Sequence, residues 1–231
     1  TRAVPERKPR TEPAQRGVRR VEFKAPAEQA YVSLAFRAPQ IATGDAFGAA
    51  ADSDAYALVV LAALLDGYPG ARLDRALTQG PDRVADSAGA YAGFIGRGPQ
   101  IFGLDGVPAA GKTPEAVEAA LRAEVAKVAR EGVGAAELAR VKTQWVASET
   151  YKLDSVMAQA RELGSNWVQG LPLDASERII AKLQAVTAEQ VQAVAAKYFG
   201  DDQMTAAILR PLPPEAKRRP RGFAAPAGDL R

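Results

Sequence analysis

The sequence has no cysteine and no histidine among its 231 residues. Without cysteine, the chain has no disulfide bridge and no thiolate nucleophile. Without histidine, it lacks the commonest zinc ligand and the commonest general base. These absences exclude the usual nucleophilic triads and zinc sites from this chain, and the lack of cysteine is compatible with an oxidising compartment.

Long apolar runs are also missing. The longest one lies around residues 56–65 and is too short to span a bilayer. No secretory signal stands at residue 1, where TRAVPERKPRTEP has no initiator methionine and resembles the interior of a longer chain. We therefore expect no membrane span in this chain.

The body of the chain has no excess of basic residues, although the pI is about 9.2. Residues 1–24 carry eight Lys or Arg against three acids, and residues 210–231 carry six against two. Removing both ends from the totals of 30 basic and 27 acidic residues leaves 16 and 22, a net charge of −6 over residues 25–209. Because a nucleic-acid surface should be basic on the folded domain, we expect no nucleic-acid partner.

The two ends of the chain differ in composition from the middle. Residues 1–17 are rich in Pro, Arg and Glu, which predicts an extended interdomain linker. Residues 211–231 are polar and Pro-rich, which predicts a disordered tail. A single domain is therefore expected over residues 18–210.

Strand and helix patterns alternate in blocks within this domain. Alternating apolar residues predict strands at 18–24, 31–37, 84–96, 100–109 and 204–209. The third and fourth strands meet at a turn over residues 97–99. The glycines inside these strands indicate bulges or a close approach by another group. Helical periodicity predicts helices at 53–66, 71–79, 111–154 as a pair, 155–170, 174–184 and 187–199. The first is apolar nearly all round and should be the most buried. The last begins with a capping box formed by Thr187 and Gln190. Strand hairpins separated by helices favour an α+β fold, with an antiparallel or mixed sheet that carries helices mainly on one face.

The helix pair at 111–154 has the clearest signals. Thr113 is a natural N-cap, and Pro114 suits the first helical position. Apolar stripes run along both helices, formed by Val117, Leu121, Val125 and Val128 and then by Leu138, Val141 and Trp145. We expect both stripes to pack on the sheet, with Glu115 and Glu118 exposed near the positive end of the helix dipole.

The remaining residue types give no complete catalytic set. Seven serines lack a histidine base, and there is no G-x-S-x-G turn. The GKT at 111–113 is a weak signal for a phosphate-binding loop, and the Thr113 cap explains it. The carboxylates of Glu115 and Glu118 are explained better by the helix dipole than by a metal. We therefore expect neither a catalytic residue nor a metal ligand in this chain.

Four stretches, in sequence order, resemble the C-terminal, non-catalytic half of the pitrilysin/insulinase-type zinc peptidases, in the branch of the mitochondrial processing peptidase. They are YVSLAFRAP at 31–39, DAYALVVLAALLDGYPGARLDRAL at 54–77, the helix pair at 111–155, and LQAVTAEQVQAVAAKYFGDDQMTAAILRP at 183–211. The resemblance extends over roughly residues 18–212, which includes the whole predicted domain.

This resemblance implies two similar α+β halves, fused or on separate subunits, that face each other around a chamber. In such enzymes an H-x-x-E-H zinc site lies in the N-terminal half, and a chain without histidine can resemble only the other half. The implied partners are the catalytic half and an extended peptide substrate. The implied cofactor is zinc in the missing half, with none in this chain, and the parent protein is expected to be a zinc-dependent endopeptidase.

The resemblance breaks down at the substrate contacts. Related non-catalytic halves lend an Arg and a Tyr to the substrate backbone, but Thr78 stands at the Arg position and Ala85 at about the Tyr position. Arg83 and Tyr91 lie close by and are the candidate substrate-binding residues. Alternatively, they are an ordinary surface arginine and a half-buried strand tyrosine. In that case, either the chain contacts the substrate differently from the related halves, or the peptidase activity is altered or absent.

Two functions follow. In the first, the chain is the non-catalytic half of a zinc metallopeptidase and binds extended peptide by strand addition along residues 83–95. In the second, it is a structural pseudo-peptidase module that holds a protein assembly together. The family and the absence of cysteine favour the bacterial periplasm.

Overall fold

The computed structural model describes residues 13–96, 98, 100–152 and 154–212. Most of the expected linker and tail lie outside these residues, as do Arg97 and Pro99 of the predicted turn. The described part forms a mixed five-stranded sheet with helices on one face, which confirms the predicted α+β class.

The sheet consists of β1 (Arg19–Pro26), β2 (Tyr31–Ala38), β3 (Ala85–Ala92), β4 (Gln100–Pro108) and β5 (Met204–Leu212). Its strand order is β1-β5-β2-β4-β3. The β1–β5 pair is parallel, and the other three pairs are antiparallel. Strand β5 extends to Leu212, opposite Pro26, so it continues into the segment that was expected to begin the tail.

The α-helices are α1 (Ser53–Asp66), α2 (Pro114–Glu131), α3 (Ala135–Lys152), α4 (Val156–Val168), α5 (Ala175–Ala185) and α6 (Ala188–Lys197). The Thr113 hydroxyl accepts the Ala116 N–H at 3.2 Å, which confirms the predicted cap of α2. Thr187 and Gln190 form the predicted capping box of α6. The amphipathic helix expected at 71–79 contains a π-helical turn at Asp74–Thr78, with Leu77 buried.

The core lies between one sheet face and three helices. Strand β2 buries every second residue, Val32, Leu34 and Phe36, on the side that α2 covers. Helix α1 is buried nearly all round, as its composition predicts, and it packs on β3 and α6. Gly106 of β4 allows α2 to approach closely, because a Cβ there would lie 2.8 Å from a methyl group of Val117.

Only the first helix of the 111–154 pair packs on the sheet. Helix α2 lies on β4 and β2 as expected, whereas α3 packs on α1 and α5. Residues Leu138 and Val141 of α3 are still buried, so the apolar stripe was predicted correctly. The surface on which it packs was predicted wrongly. The reason is spatial, because α1 and α2 already cover this face of the sheet and α6 packs against both of them.

Glu118 is also placed differently from the expectation. It is only 5% exposed, and its two carboxylate oxygens accept bonds from the Arg20 guanidinium at 2.7 and 2.8 Å. The cause is β1, which joins the sheet beside β5 and brings Arg20 over the first turns of α2. This guanidinium replaces the water that an exposed Glu118 would bind.

Asp52 lies at the N-cap of α1, but its side chain does not cap the helix. Its carboxylate accepts the Ala42 N–H at 3.1 Å and so fastens the loop that precedes α1. The 3₁₀ turn at Ala50–Asp52 directs the side chain away from the helix start.

Candidate functional site

Strand β3 forms one edge of the sheet, and its outer side presents main-chain groups. The Gly93 N–H donates to the Ile101 carbonyl at 3.0 Å, so odd-numbered residues here bond to β4. The main chain of Ala88, Ala90 and Ala92 therefore faces away from the sheet, because strand hydrogen bonding alternates with a period of two. These residues offer donors and acceptors to an added strand.

The edge is closed at both ends. The Val84 N–H donates to the Leu77 carbonyl at 2.9 Å, and the Ile41 N–H donates to the Phe94 carbonyl at 2.8 Å. Between these contacts the Ala90 N–H donates to the Asp66 carboxylate at 3.2 Å. The accessible part of the edge therefore runs from about Asp86 to Ala92 and already carries one acceptor, Asp66.

Asp66 is the functional candidate that sequence reasoning missed. It is the last residue of α1, where a carboxylate meets the negative end of the helix dipole. Although the residue as a whole is exposed, partial burial of its carboxyl raises the pKa above the ordinary aspartate value. An acid at a helix C-terminus was the available signal, since it contradicts the usual preference for a basic residue there.

A cavity of about 450 Å³ adjoins this edge. Its lining includes the carboxylates of Asp66, Asp74 and Asp86, together with Ser87 and Ala88 of β3. The Asp74 carboxylate already accepts hydrogen bonds from nearby residues, namely from the Gly70 N–H and the Thr78 hydroxyl. The side of β3 available for strand addition is thus bordered by acidic groups.

The two predicted substrate-binding residues lie at opposite ends of β3. Arg83 precedes the strand, and its guanidinium contacts the Asp86 carboxylate at 3.0 and 3.1 Å. Tyr91 lies near the other end, about 26 Å away along an extended strand of this length. The structure therefore does not bring them together on a single substrate residue, and their role stays a prediction.

Tyr91 lies on the sheet face opposite the helices and is 53% exposed. Its cross-strand partner is Gly103, where an added Cβ would overlap the tyrosine ring. The close approach predicted from the strand glycines is thus made by a side chain of the same sheet, and the predicted bulge occurs between Ala85 and Ser87.

The family positions occupied by Thr78 and Ala85 have structural roles. The Thr78 hydroxyl donates to the Asp74 carbonyl at 2.9 Å within the short π-helical turn. Ala85 is completely buried at the start of β3. Thr78 lines the cavity beside Ser87 and Ala88, whereas the buried Ala85 side chain offers no contact to a bound strand.

The sheet face opposite the helices is called the open face here. Cross-strand pairing places Val21, Phe23, Tyr31 and Ile101 on it, and all four are 40–52% exposed. Asp105 lies on the same face. Burial, and then the nearby Asp105 carboxylate, raise the pKa of Tyr31.

The described residues contain neither a carboxylate cluster for a metal ion nor a helix that could cross a membrane. Over residues 13–212, apart from those left undescribed, no three Asp or Glu side chains are grouped so that they could hold a metal ion. None of the described helices is long and apolar enough to cross a bilayer.

The sequence profile of the peptidase M16 inactive domain matches residues 2–145. A protease from Helicobacter pylori has the same fold, with 22% identity and a TM-score of 0.75 over 86% of this chain and 46% of its own. An inactive peptidase domain from Bordetella parapertussis has 14% identity and a TM-score of 0.67, over 83% of this chain and 97% of its own.

The periplasmic protease PqqL from Escherichia coli has 16% identity and a TM-score of 0.64, over 85% of this chain and 21% of its own. This chain therefore spans about half of the Helicobacter protease and a fifth of PqqL, but nearly all of the Bordetella domain. A search of curated proteins found no match.

Proposed function

The chain belongs to the family of peptidase M16 inactive domains, and on that premise we propose that it is the non-catalytic half of a zinc metallopeptidase. In this role it completes the chamber of the enzyme and binds an extended peptide substrate. The zinc and the general base lie in a partner half with an H-x-x-E-H site. That half is fused or separate, and this chain itself holds no cofactor.

The single observation that carries the proposal is the outer edge of β3. Main-chain donors and acceptors of Ala88 and Ala92 face outward there, and Asp66 already holds the Ala90 N–H as a substrate carbonyl would. An added strand binds through main-chain hydrogen bonds with little demand on its sequence, which suits a peptidase that accepts unstructured peptides. The acidic cavity beside Ser87 and Ala88 would receive one substrate side chain.

The site residues fit this proposal unequally. Tyr91 lies on the open face with its ring over Gly103 of β4, so the ring would have to rotate outward to cover a bound strand. Arg83 is engaged by Asp86, so it would have to leave that ion pair to reach substrate. Tyr91 is therefore the stronger candidate of the two. The periplasm is proposed as the compartment, supported by the absence of cysteine and the likeness to PqqL.

A structural, assembly-mediating role is the second candidate. It is favoured by the exposed apolar side chains of the open face, which a peptide bound at the β3 edge would not cover. In that case the chain would hold a complex together while contributing nothing to substrate binding.

One experiment separates the two functions. In the protein that carries both halves, with zinc, cleavage of an unstructured fluorogenic peptide should be abolished when residues 18–210 are deleted. Replacing Ala88 with Pro removes one outward N–H and should lower kcat/KM about tenfold, the effect of one lost hydrogen bond. The matched control Ala88→Ser keeps that N–H and should cleave normally. Cleavage that survives the deletion, while the complex falls apart, would favour the structural role.

A further inference from the structure

The Asp66 carboxylate occupies a main-chain donor that strand addition on β3 requires. One of its oxygens accepts the Ala90 N–H at 3.2 Å. Ala90 is the middle one of the three outward-facing residues, between Ala88 and Ala92. In an antiparallel pair, alternate residues exchange both of their hydrogen bonds with the added strand. A peptide that pairs along the whole accessible edge must therefore take the Ala90 N–H away from Asp66.

The accessible edge is too short for a peptide to bypass this contact. At its two ends the Val84 N–H and the Phe94 carbonyl are already bonded, to Leu77 and Ile41 respectively. This leaves a short stretch around the three outward alanines. A strand that leaves Ala90 unpaired keeps its hydrogen bonds at one end of this stretch and loses the continuous ladder that makes strand addition stable.

The surroundings of Asp66 favour its contact with the edge. As the last residue of α1 it meets the negative end of the helix dipole. The negative charges of Asp74 and Asp105 act on the same carboxylate, and Asp86 lines the adjoining cavity. Among the described residues, the Ala90 N–H is the hydrogen-bond donor that this carboxylate has. This bond to a charged acceptor offsets the unfavourable surroundings.

Asp66 also has room to leave the edge. It lines the cavity of about 450 Å³ beside β3, and the residue as a whole is exposed. A change of rotamer turns the carboxylate from Ala90 into this space, where water replaces the lost hydrogen bond. Exposed side chains change rotamer within nanoseconds. The edge therefore has a closed state, with Asp66 on Ala90, and an open state in which the Ala90 N–H is free.

We propose that Asp66 is an autoinhibitory residue, which closes the outer edge of β3 until an extended peptide displaces it from the Ala90 N–H. This inference rests on the proposed function, since it concerns the regulation of the same edge. The apparent dissociation constant is the intrinsic one divided by the fraction of open molecules, so the contact weakens every peptide that pairs with Ala90 by one factor. In return, it protects an exposed strand edge from pairing with other chains.

The test is the binding of a labelled, end-capped peptide of alternating valine and threonine to the full chain, followed by fluorescence anisotropy. This peptide is uncharged, so the charge of Asp66 does not act on it directly. Asp66→Ala should bind it about tenfold more tightly than the wild type. Asp66→Asn should gain less, because its amide oxygen still accepts the N–H. The matched control Asp86→Ala removes a carboxylate that bonds to the side chains of Arg83 and Gln29, and it should bind like the wild type.

Amide hydrogen exchange measured by NMR tests the contact without any peptide. The Ala90 amide should exchange about tenfold faster in Asp66→Ala than in the wild type. The Gly93 amide, which bonds to Ile101 of β4, should exchange equally in both. Equal exchange at Ala90 would overturn the inference. Faster exchange with unchanged peptide affinity would also overturn it and would leave the proposed function standing. If neither chain binds the peptide, the proposed function fails at this edge, and autoinhibition fails with it.

Discussion

Glu118 and Arg20 show how a single residue is controlled by a partner distant in sequence. Glu118 is nearly buried in α2 and forms a two-pronged ion pair with Arg20 of β1, 98 residues away. The hydrogen bonds from the Arg20 side chain to Glu118 are the main cause of a raised pKa for Arg20. Removing the glutamate leaves the guanidinium without its acceptor, although about half of that side chain reaches water.

We expect Glu118→Ala to lower the free energy of unfolding by about 1–3 kcal/mol, the range for a lost hydrogen-bonded charge in a partly hydrated pair. The matched control is Glu115→Ala, which removes an exposed carboxylate from the same helical turn and should cost less than about 1 kcal/mol. Urea denaturation of both variants measures the difference. Equal losses would show that burial of Glu118 does not matter.

At this scale, local signals were predictable and distant ones were not. Thr113 and Thr187 were identified as caps because both partners of each bond lie within a few residues. The burial of Glu118 depends on β1 joining the sheet beside β5, and the role of Asp66 depends on α1 ending beside β3. A sequence pattern over a few neighbouring residues can predict neither of these two arrangements.

Arg210 connects three elements of the fold. From β5 it donates to Glu22 of β1 and to Glu115 of α2, both at 2.6 Å. These hydrogen bonds are the main reason that the pKa values of both glutamates lie below the ordinary value. The link holds the parallel β1–β5 pair against the N-terminus of α2.

Stability should therefore fall in acid through these two carboxyls. Because their folded-state pKa values are depressed, the stabilisation is present above the unfolded value near 4.5 and is lost as the pH falls through the folded values. In Arg210→Met the melting temperature should lie below that of the wild type at pH 7, and the gap should narrow below pH 4. A constant gap across this range would contradict the assignment.

The type of each helix and strand was predictable from the sequence, but the surface on which it packs was not always predictable. Periodicity located α3 and α4 and identified the apolar stripe of α3, because a repeat of 3.6 is a local property. It placed α3 on the sheet, whereas Leu138 and Val141 lie against other helices. Competition for a limited sheet area decided this, and it depends on all the helices at once.

At the scale of the whole molecule, the family was predictable from resemblance and from what the chain lacks. The absence of histidine and cysteine excluded a zinc site of the usual kind. Four stretches that occur in the same sequence order as in the family indicated its non-catalytic half. The family assignment was confirmed by the profile match over residues 2–145. The candidate residues Arg83 and Tyr91 stay predictions, since neighbours with this fold at low identity carry no information about individual side chains.

The central claim is that the outer edge of β3 binds an extended peptide through its main chain. The most direct measurement is fluorescence anisotropy with a short labelled peptide, selected from a random library for binding to the full chain. Single N-methyl groups are then introduced at successive peptide bonds. Since an added strand bonds through alternate residues, affinity should fall about tenfold at every second position and change little at those between. Uniform losses along the peptide, or a library that yields no binder, would contradict the account.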